Sequence, residues 1–174
     1  MKVMISTPPW KTTELWPPLG LLYLAGAVRQ KTNHDVVVLD AFCRNYTPDM
    51  FLEHVMRERP DVLGMNCSTH TFLAAMDVLA EVHARLPETV IVLGGYHATF
   101  ATKEIMREYD FIDYIVKGEA EISLPKLLRH IEDGTVPADV EGIAYRHEGE
   151  IVERPLTLVE DLDSLPFPDR SLLG

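Results

Sequence analysis

The sequence predicts an α/β domain, a five-stranded parallel sheet covered by helices on both faces. Five short apolar runs rich in β-branched residues alternate with five segments of helical spacing, the pattern of parallel strands joined by crossover helices. Each apolar run also stops abruptly at a polar or glycine-containing loop. The stretch from Val90 to Thr102, VIVLGGYHATFAT, shows this most sharply. A buried strand (Val90 to Leu93) breaks at Gly94-Gly95, and polar residues follow at once. On the plainest reading the two glycines form a tight strand-to-helix turn. They also remove two Cβ atoms where another group can come close.

Taken in order, Lys2 to Ser6 forms a first strand, ended by Thr7-Pro8-Pro9-Trp10. After a polar loop, Pro17-Pro18 suits a helix entry, where a missing N–H costs little. Leu21, Leu24, Ala25 and Val28 give that helix one apolar face. Asn33-His34 is a turn, and Val36 to Leu39 a second strand. Thr47 caps the next helix with Pro48 at its first position. Its core face is Phe51, Leu52, Val55 and Met56. Asp61 to Asn66 is a third strand, followed by Cys67-Ser68-Thr69-His70. Thr71 then caps a helix carrying Leu73, Met76, Leu79, Ala80, His83 and Leu86 inward. The glycine-ended strand leads to a short helix over about 103–109. Phe111 to Val116 is the fifth strand, ended by Gly118-Glu119. A last helix has Pro125 in its first turn, runs to about Asp133 and closes at Gly134.

Beyond Gly134 the pattern changes. Gly142 to Arg146 and Ile151 to Arg154 flank His147-Glu148-Gly149-Glu150 as a β-hairpin. The run LTLVEDLDSLPFPDRSLLG carries Pro166 and Pro168 and reads as extended. Three segments result: 1–134 as the main domain, 135–156 as a hairpin extension and 157–174 as a linker.

The composition is that of an ordinary globular chain, 47% hydrophobic and 25% charged. A net charge of -11 with no dense basic run argues against nucleic acid or an anionic membrane as partner. No apolar run reaches the ~20 residues needed to cross a bilayer. The start MKVMISTPP lacks the features of a secretory signal, and the expected location is cytoplasmic. Cys43 and Cys67 form no metal-ligand motif and are expected as free thiols.

In an open parallel sheet, ligands bind beyond the carboxyl ends of the strands. With strand order 2-1-3-4-5, the loops at Pro8-Pro9-Trp10, Ser68-Thr69-His70, Gly94-Gly95-Tyr96-His97 and Gly118-Glu119 border one crevice. Small and hydroxyl residues there suit a bulky, cofactor-sized ligand. Neither a dinucleotide fingerprint nor a phosphate loop follows the first strand, and there is no nucleophile elbow. His83 reads as a packed core histidine, and His34, His130 and His147 as surface positions. His54 lies beside an apolar stripe and reaches solvent. Only His70 and His97 follow strand ends, where an imidazole meets either a ligand or only its neighbours. Glu119 and Glu121 open the last helix, where carboxylates suit the N-terminal dipole. Glu119 there could also accept a bond from an amide.

The segments STPPW, PPLGLLYLAGAVR, VLGGYHAT, VKGEAE and DLDSLPFPDR together resemble the N-terminal half of cobalamin-dependent radical S-adenosylmethionine enzymes. The nearest group holds the anaerobic magnesium-protoporphyrin monomethyl ester cyclases and related methyltransferases. The resemblance covers essentially the whole chain. It implies a Rossmann-like, flavodoxin-like cobalamin domain in which Ser68, Thr69, Gly94 and Gly95 line the channel for the nucleotide tail. The two glycines would admit that tail closely. Tyr96, His97, Ala98, Gly118 and Glu119 would border the tail or the corrin edge, with His70 nearby. Pro8, Pro9, Trp10, Leu19 and Gly20 would lie under the lower corrin face.

The resemblance has one departure. The Asp-x-His-x-x-Gly loop of methionine synthase and the mutases is replaced after strand one by Thr7-Pro8-Pro9-Trp10-Lys11-Thr12. Base-off cobalamin with no protein imidazole on cobalt is therefore expected. The Cys-x-x-x-Cys-x-x-Cys motif for a 4Fe-4S cluster is absent, so the cluster, S-adenosylmethionine and catalysis are expected in a C-terminal radical domain beyond the linker. Two rivals stand beside this reading. One is a stand-alone cobalamin-sensing or protein-docking module, against which the proline-rich tail argues. The other is a nucleotide- or flavin-binding domain, against which the missing phosphate loop argues. Trp10 and Trp16 are expected to be exposed in the first loop.

Overall fold

A computed structural model describes residues 1–13 and 16–172; the expected first loop thus lies in part, at 14 and 15, outside the described residues. Strands β1 (Lys2–Thr7), β2 (Asp35–Asp40), β3 (Val62–Asn66), β4 (Val90–Gly94) and β5 (Tyr114–Val116) pair in parallel in the order 2-1-3-4-5. The crossovers are α1 (Leu19–Lys31), α2 (Pro48–Glu58), α3 (Phe72–Arg85) and the pair α4 (Tyr96–Phe100) and α5 (Thr102–Glu108). A sixth helix, α6 (Ser123–Asp133), precedes strands β6 (Ile143–His147) and β7 (Glu150–Glu153).

Strand alternation divides the core in two. Met4, Leu63, Met65, Ile91, Leu93 and Ile115 face α2, α3 and α5. Val3, Ile5, Val36, Val38, Val62, Val92 and Val116 face α1 and α6. Covering both faces explains why the strands read as continuous apolar runs. Thr47 caps α2 as expected, its hydroxyl accepting from Met50 N at 3.2 Å. Gly134 ends α6 in the left-handed region, with φ 63°, where glycine carries no Cβ penalty.

The hairpin is more than an extension. β6 pairs antiparallel with β5, so the sheet has seven strands rather than the expected five. The expected fifth strand over 111–116 shrinks to Tyr114–Val116. So short an edge leaves backbone groups to be covered, and β6 covers them. Arg146 on β6 also donates to the carbonyl oxygens of Met106, Tyr109 and Ile112, which close α5 and its exit. Arg146→Leu is expected to destabilise the domain by about 2–4 kcal/mol, since three carbonyls lose a charged donor. Urea unfolding followed by circular dichroism measures this, and an unchanged midpoint would contradict it.

Two expectations shift within the layers. On α3 the core face is Phe72, Ala75, Met76, Leu79 and Val82, whereas Leu73 is 69% exposed and His83 is exposed. The helix is turned so that Phe72 takes the place expected for Leu73, which carries His83 outward. His34, read as a surface turn residue, is buried. Its Nε2 has no hydrogen-bond partner, and its Nδ1 lies 3.8 Å from Glu132 Oε1.

Burial holds the His34 pKa below its ordinary value, outweighing the attraction of Glu132. A depressed histidine is neutral in the folded chain where the unfolded chain already binds a proton. Stability is therefore full above about pH 6.5, the ordinary histidine value, and falls as pH drops below it. Urea midpoints across pH 5 to 8 test this: His34→Leu is expected to flatten the acid side of the profile.

Candidate functional site

The carboxyl ends of β1, β3, β4 and β5 come together at one edge of the sheet, where side-chain contacts tie their exit loops to one another. After β1, Pro8 and Pro9 are buried, and Trp10 is 38% exposed. Its ring meets His70 edge-on, with centroids 6.0 Å apart, which joins the β1 and β3 loops. After β3, Ser68 Oγ lies 3.0 Å from His70 Nδ1 and 3.1 Å from the Thr71 hydroxyl. Thr71 occupies the N-cap position of α3, but its side chain makes no cap bond. It accepts from Ser68 N at 3.1 Å instead, so it closes the site loop rather than the helix.

His97 joins the β4 exit to the β3 loop. Its Nδ1 lies 3.2 Å from Thr69 Oγ1, and its ring sits on Phe72 with centroids 4.2 Å apart. Both candidate histidines thus hold one exit loop against another. Tyr96 is 80% exposed, whereas Ala98, also on α4, is fully buried in the core.

The two glycines do different jobs. Gly95 has φ 94° and ψ 179°, a region essentially restricted to glycine. A Cβ there would collide with Asn66 Oδ1 and the Cys67 carbonyl oxygen. Its close neighbour is thus the chain's own β3 exit. At Gly94 a Cβ would meet only Val116 O, at 3.5 Å. By strand alternation Gly94 points to the same side as Val92, toward α1 and α6, and leaves that position open.

Thr99, which sequence reasoning missed, links the β4 and β5 exits. Its hydroxyl donates to Gly95 O at 2.9 Å and accepts from Gly118 N at 3.0 Å. Its place four residues after Gly95, on a helical turn, was the available signal. Glu119 and Glu121 lie ahead of α6, which starts only at Ser123, so they do not open that helix as expected. Glu119 Oε2 accepts from Val159 N at 3.2 Å, and Glu121 Oε2 is buried with no partner. Leu19 and Gly20 form the first turn of α1, with Leu19 45% exposed.

Both cysteines are free. Burial pushes the Cys67 thiol up to about 12, and burial together with the nearby Asp40 raises that of Cys43. Among the described residues no group of three His, Cys, Asp or Glu side chains could hold a metal ion. No helix among them is long and apolar enough to cross a membrane. A concavity lies at the other end of the sheet, lined by Arg59, Pro60, Asp61, Arg85 and Glu88. It sits beyond the amino ends of β3 and β4, away from the edge where open parallel sheets bind ligands.

A parallel sheet with a glycine-floored carboxyl edge is shared by many ligand classes, so the family decides between them. The model of the B12 binding domain matches residues 11–128. The chain belongs to that family. As a B12 binding domain it is 31% identical over 181 residues to an uncharacterized methyltransferase of Pyrococcus horikoshii, covering 99% of this chain and 39% of that protein. It is 34% identical over 163 residues to the anaerobic magnesium-protoporphyrin IX monomethyl ester cyclase of Rubrivivax gelatinosus, covering 91% of this chain and 29% of the cyclase. The chain therefore spans well under half the length of these relatives. Its fold matches the cobalamin-dependent S-adenosylmethionine radical enzyme OxsB, solved with aqua-cobalamin and S-adenosylmethionine bound, at TM-score 0.84 and 18% identity, over 99% of this chain and 24% of that one.

The residues at the edge of this B12 binding domain fit cobalamin. The open position at Gly94 leaves room on the α1 and α6 side. The hydroxyls and imidazoles of Ser68, Thr69, His70 and His97 offer polar partners beside the Trp10 indole. That mixture suits a flat macrocycle fringed with amides and carrying a nucleotide tail.

Proposed function

We propose that this chain binds cobalamin at the carboxyl edge of its sheet and serves as the cobalamin domain of a longer radical S-adenosylmethionine enzyme. The observation that carries this reading is the open position at Gly94 within a row of exit loops tied each to the next, in a chain of the B12-binding family. Ser68, Thr69, His70, Gly94, Tyr96, His97, Gly118 and Glu119 form the contact set, with Trp10, Leu19 and Gly20 toward the corrin. Pro8, Pro9, Gly95 and Ala98 shape the edge from beneath. When bound, cobalamin supplies a cobalt centre able to carry a methyl group or assist an oxidation. Protein residues position it and shield it from water.

In this reading the cobalt would take no imidazole from this chain, because Pro8-Pro9-Trp10-Lys11-Thr12 follows β1 without a histidine. His70 is engaged by Ser68 and Trp10, and His97 by Thr69 and Phe72. Both tie one exit loop to another, His70 through Trp10 and His97 through Thr69, so their role in this reading is to hold the edge in shape around the ligand. The 4Fe-4S cluster, S-adenosylmethionine and the methyl-transfer or oxidative-cyclisation step belong to a radical domain of the longer protein.

Anaerobic titration with hydroxocobalamin, read by visible absorbance and by retention on desalting, tests this. One corrin per chain with a base-off spectrum is expected. His70→Ala and His97→Ala are expected to weaken binding severalfold while leaving the band positions unchanged. A band shift in either variant would assign cobalt ligation to that histidine, and no retained corrin would overturn the cobalamin reading for this chain.

A further inference from the structure

The end of the expected hairpin extension, 154–156, and the described part of the expected linker, 157–172, are together fastened at two points. At the first, Gly142 N donates to Pro155 O at 2.7 Å, and Leu156 packs over Gly118, its Cδ1 2.6 Å from where a Cβ would stand. Val159 N then donates to Glu119 Oε2. This anchor grips the loop between β5 and α6, on the site edge.

The second point is on α1. Asp169 N donates to Leu22 O at 3.2 Å, and the Asp169 carboxylate pairs with Arg29 at 2.6 Å. Leu172 packs on the α1 and α6 side of the core. A Cβ on Gly26 would stand 3.0 Å from Phe167 O and 3.6 Å from Pro166 Cγ. Glycine in a helix interior costs about 1 kcal/mol relative to alanine. At Gly26 that cost allows the backbone of 166–169 to lie directly on the helix.

Between the anchors, the hydrogen bonds of residues 161–165 are internal. Asp161 O accepts from the backbone and hydroxyl of Ser164, and Leu165 N donates to Leu162 O. The bridge is thus a compact turn leading into Pro166 and Pro168, not a slack tether. It joins the Gly118–Glu119 loop to α1, whose first turn, Leu19 and Gly20, follows the β1 exit.

We propose that residues 155–172 are a strap that couples ligand occupancy at the carboxyl edge to seating of the chain on α1. A ligand that orders the Gly118–Glu119 loop fixes the first anchor, and the compact bridge transmits this to the second. By linkage, unseating the strap from α1 weakens the ligand by the same factor. The inference rests on the cobalamin reading for its ligand, but the two anchors are measurable without one.

Hydrogen exchange on the whole chain, with and without hydroxocobalamin, tests the coupling alongside Gly26→Leu, which fills the strap's seat. In the free wild-type chain, the Val159 and Asp169 amides are expected to exchange more slowly than those of Glu160 and Asp161. Cobalamin is expected to slow 155–172 further. Gly26→Leu is expected to release 166–172 with strand protection intact and to raise the cobalamin Kd about tenfold, within the usual range of coupling. If that variant loses the sheet, Asp169→Ala cuts the same anchor from the strap side, with a smaller change in the same direction. Released tails with unchanged affinity would overturn the coupling, and fast exchange at Asp169 in the free wild type would overturn the anchor. A wild type that retains no cobalamin overturns the cobalamin reading and the coupling with it, while exchange in the free chain still decides the anchors.

Discussion

Gly95→Val is expected to cost the domain about 3–5 kcal/mol, from backbone strain together with overpacking. Gly95 sits at φ 94°, ψ 179°, where a side chain is strained whatever space surrounds it. Space is also lacking, because a Cβ would collide with Asn66 Oδ1 and Cys67 O and stand 3.0 Å from Cys67 N. Those atoms belong to the neighbouring strand exit, which cannot retreat. Asn66 is in register with Gly94, and Cys67 N donates to Gly94 O at 3.1 Å. In a chain of this size the loss lowers Tm by roughly 6–20 °C, at ~2–4 °C per kcal/mol. Thermal melts of Gly95→Val and Gly95→Ala should fall by similar amounts, since both introduce the offending Cβ. A melt within a degree or two of wild type for either would show that the loop can rearrange. Ligand loss in these variants would report the loop's collapse, not a blocked channel.

That distinction marks the limit of what the sequence disclosed. The alternation of apolar runs and helical segments located the parallel strands, because burial on both faces leaves a continuous hydrophobic record. Thr47-Pro48 and Gly134 marked helix ends through local backbone chemistry. The hairpin's place was not legible, because it depends on how short β5 is and which edge it leaves open. Gly94-Gly95 was legible as a break at the strand end, but not which glycine the neighbouring strand exit requires and which leaves its position open. Only the φ angle and the position of Asn66 and Cys67 separate them. Gly26 and Thr99 did leave signals, a glycine in a helix interior and a hydroxyl one helical turn beyond a glycine. Both act on partners distant in sequence, Phe167 and Gly118, that no local pattern names. His34 followed a turn-like asparagine, and its burial comes from packing near the chain's own amino terminus and Glu132.

Gly94→Val is expected to do the opposite of Gly95→Val. Gly94 ends β4 without a positive φ, and a Cβ there would meet only Val116 O at an ordinary 3.5 Å. Valine suits a strand, so stability is expected to stay within about 1 kcal/mol of wild type, the span of such propensities. The isopropyl group would occupy the position left open on the α1 and α6 side, where the cobalamin reading places ligand. About 3 kcal/mol of overpacking corresponds to an affinity loss on the order of a hundredfold. Hydroxocobalamin retention and thermal melts on the same protein separate the two effects. A folded variant that no longer holds corrin ties the ligand to Gly94, since neither strain nor unfolding then accounts for the loss. A folded variant with wild-type affinity would move the ligand off this glycine, toward the Trp10 and His70 side of the edge. The paired substitutions therefore assign each glycine its role by a measurement that neither gives alone.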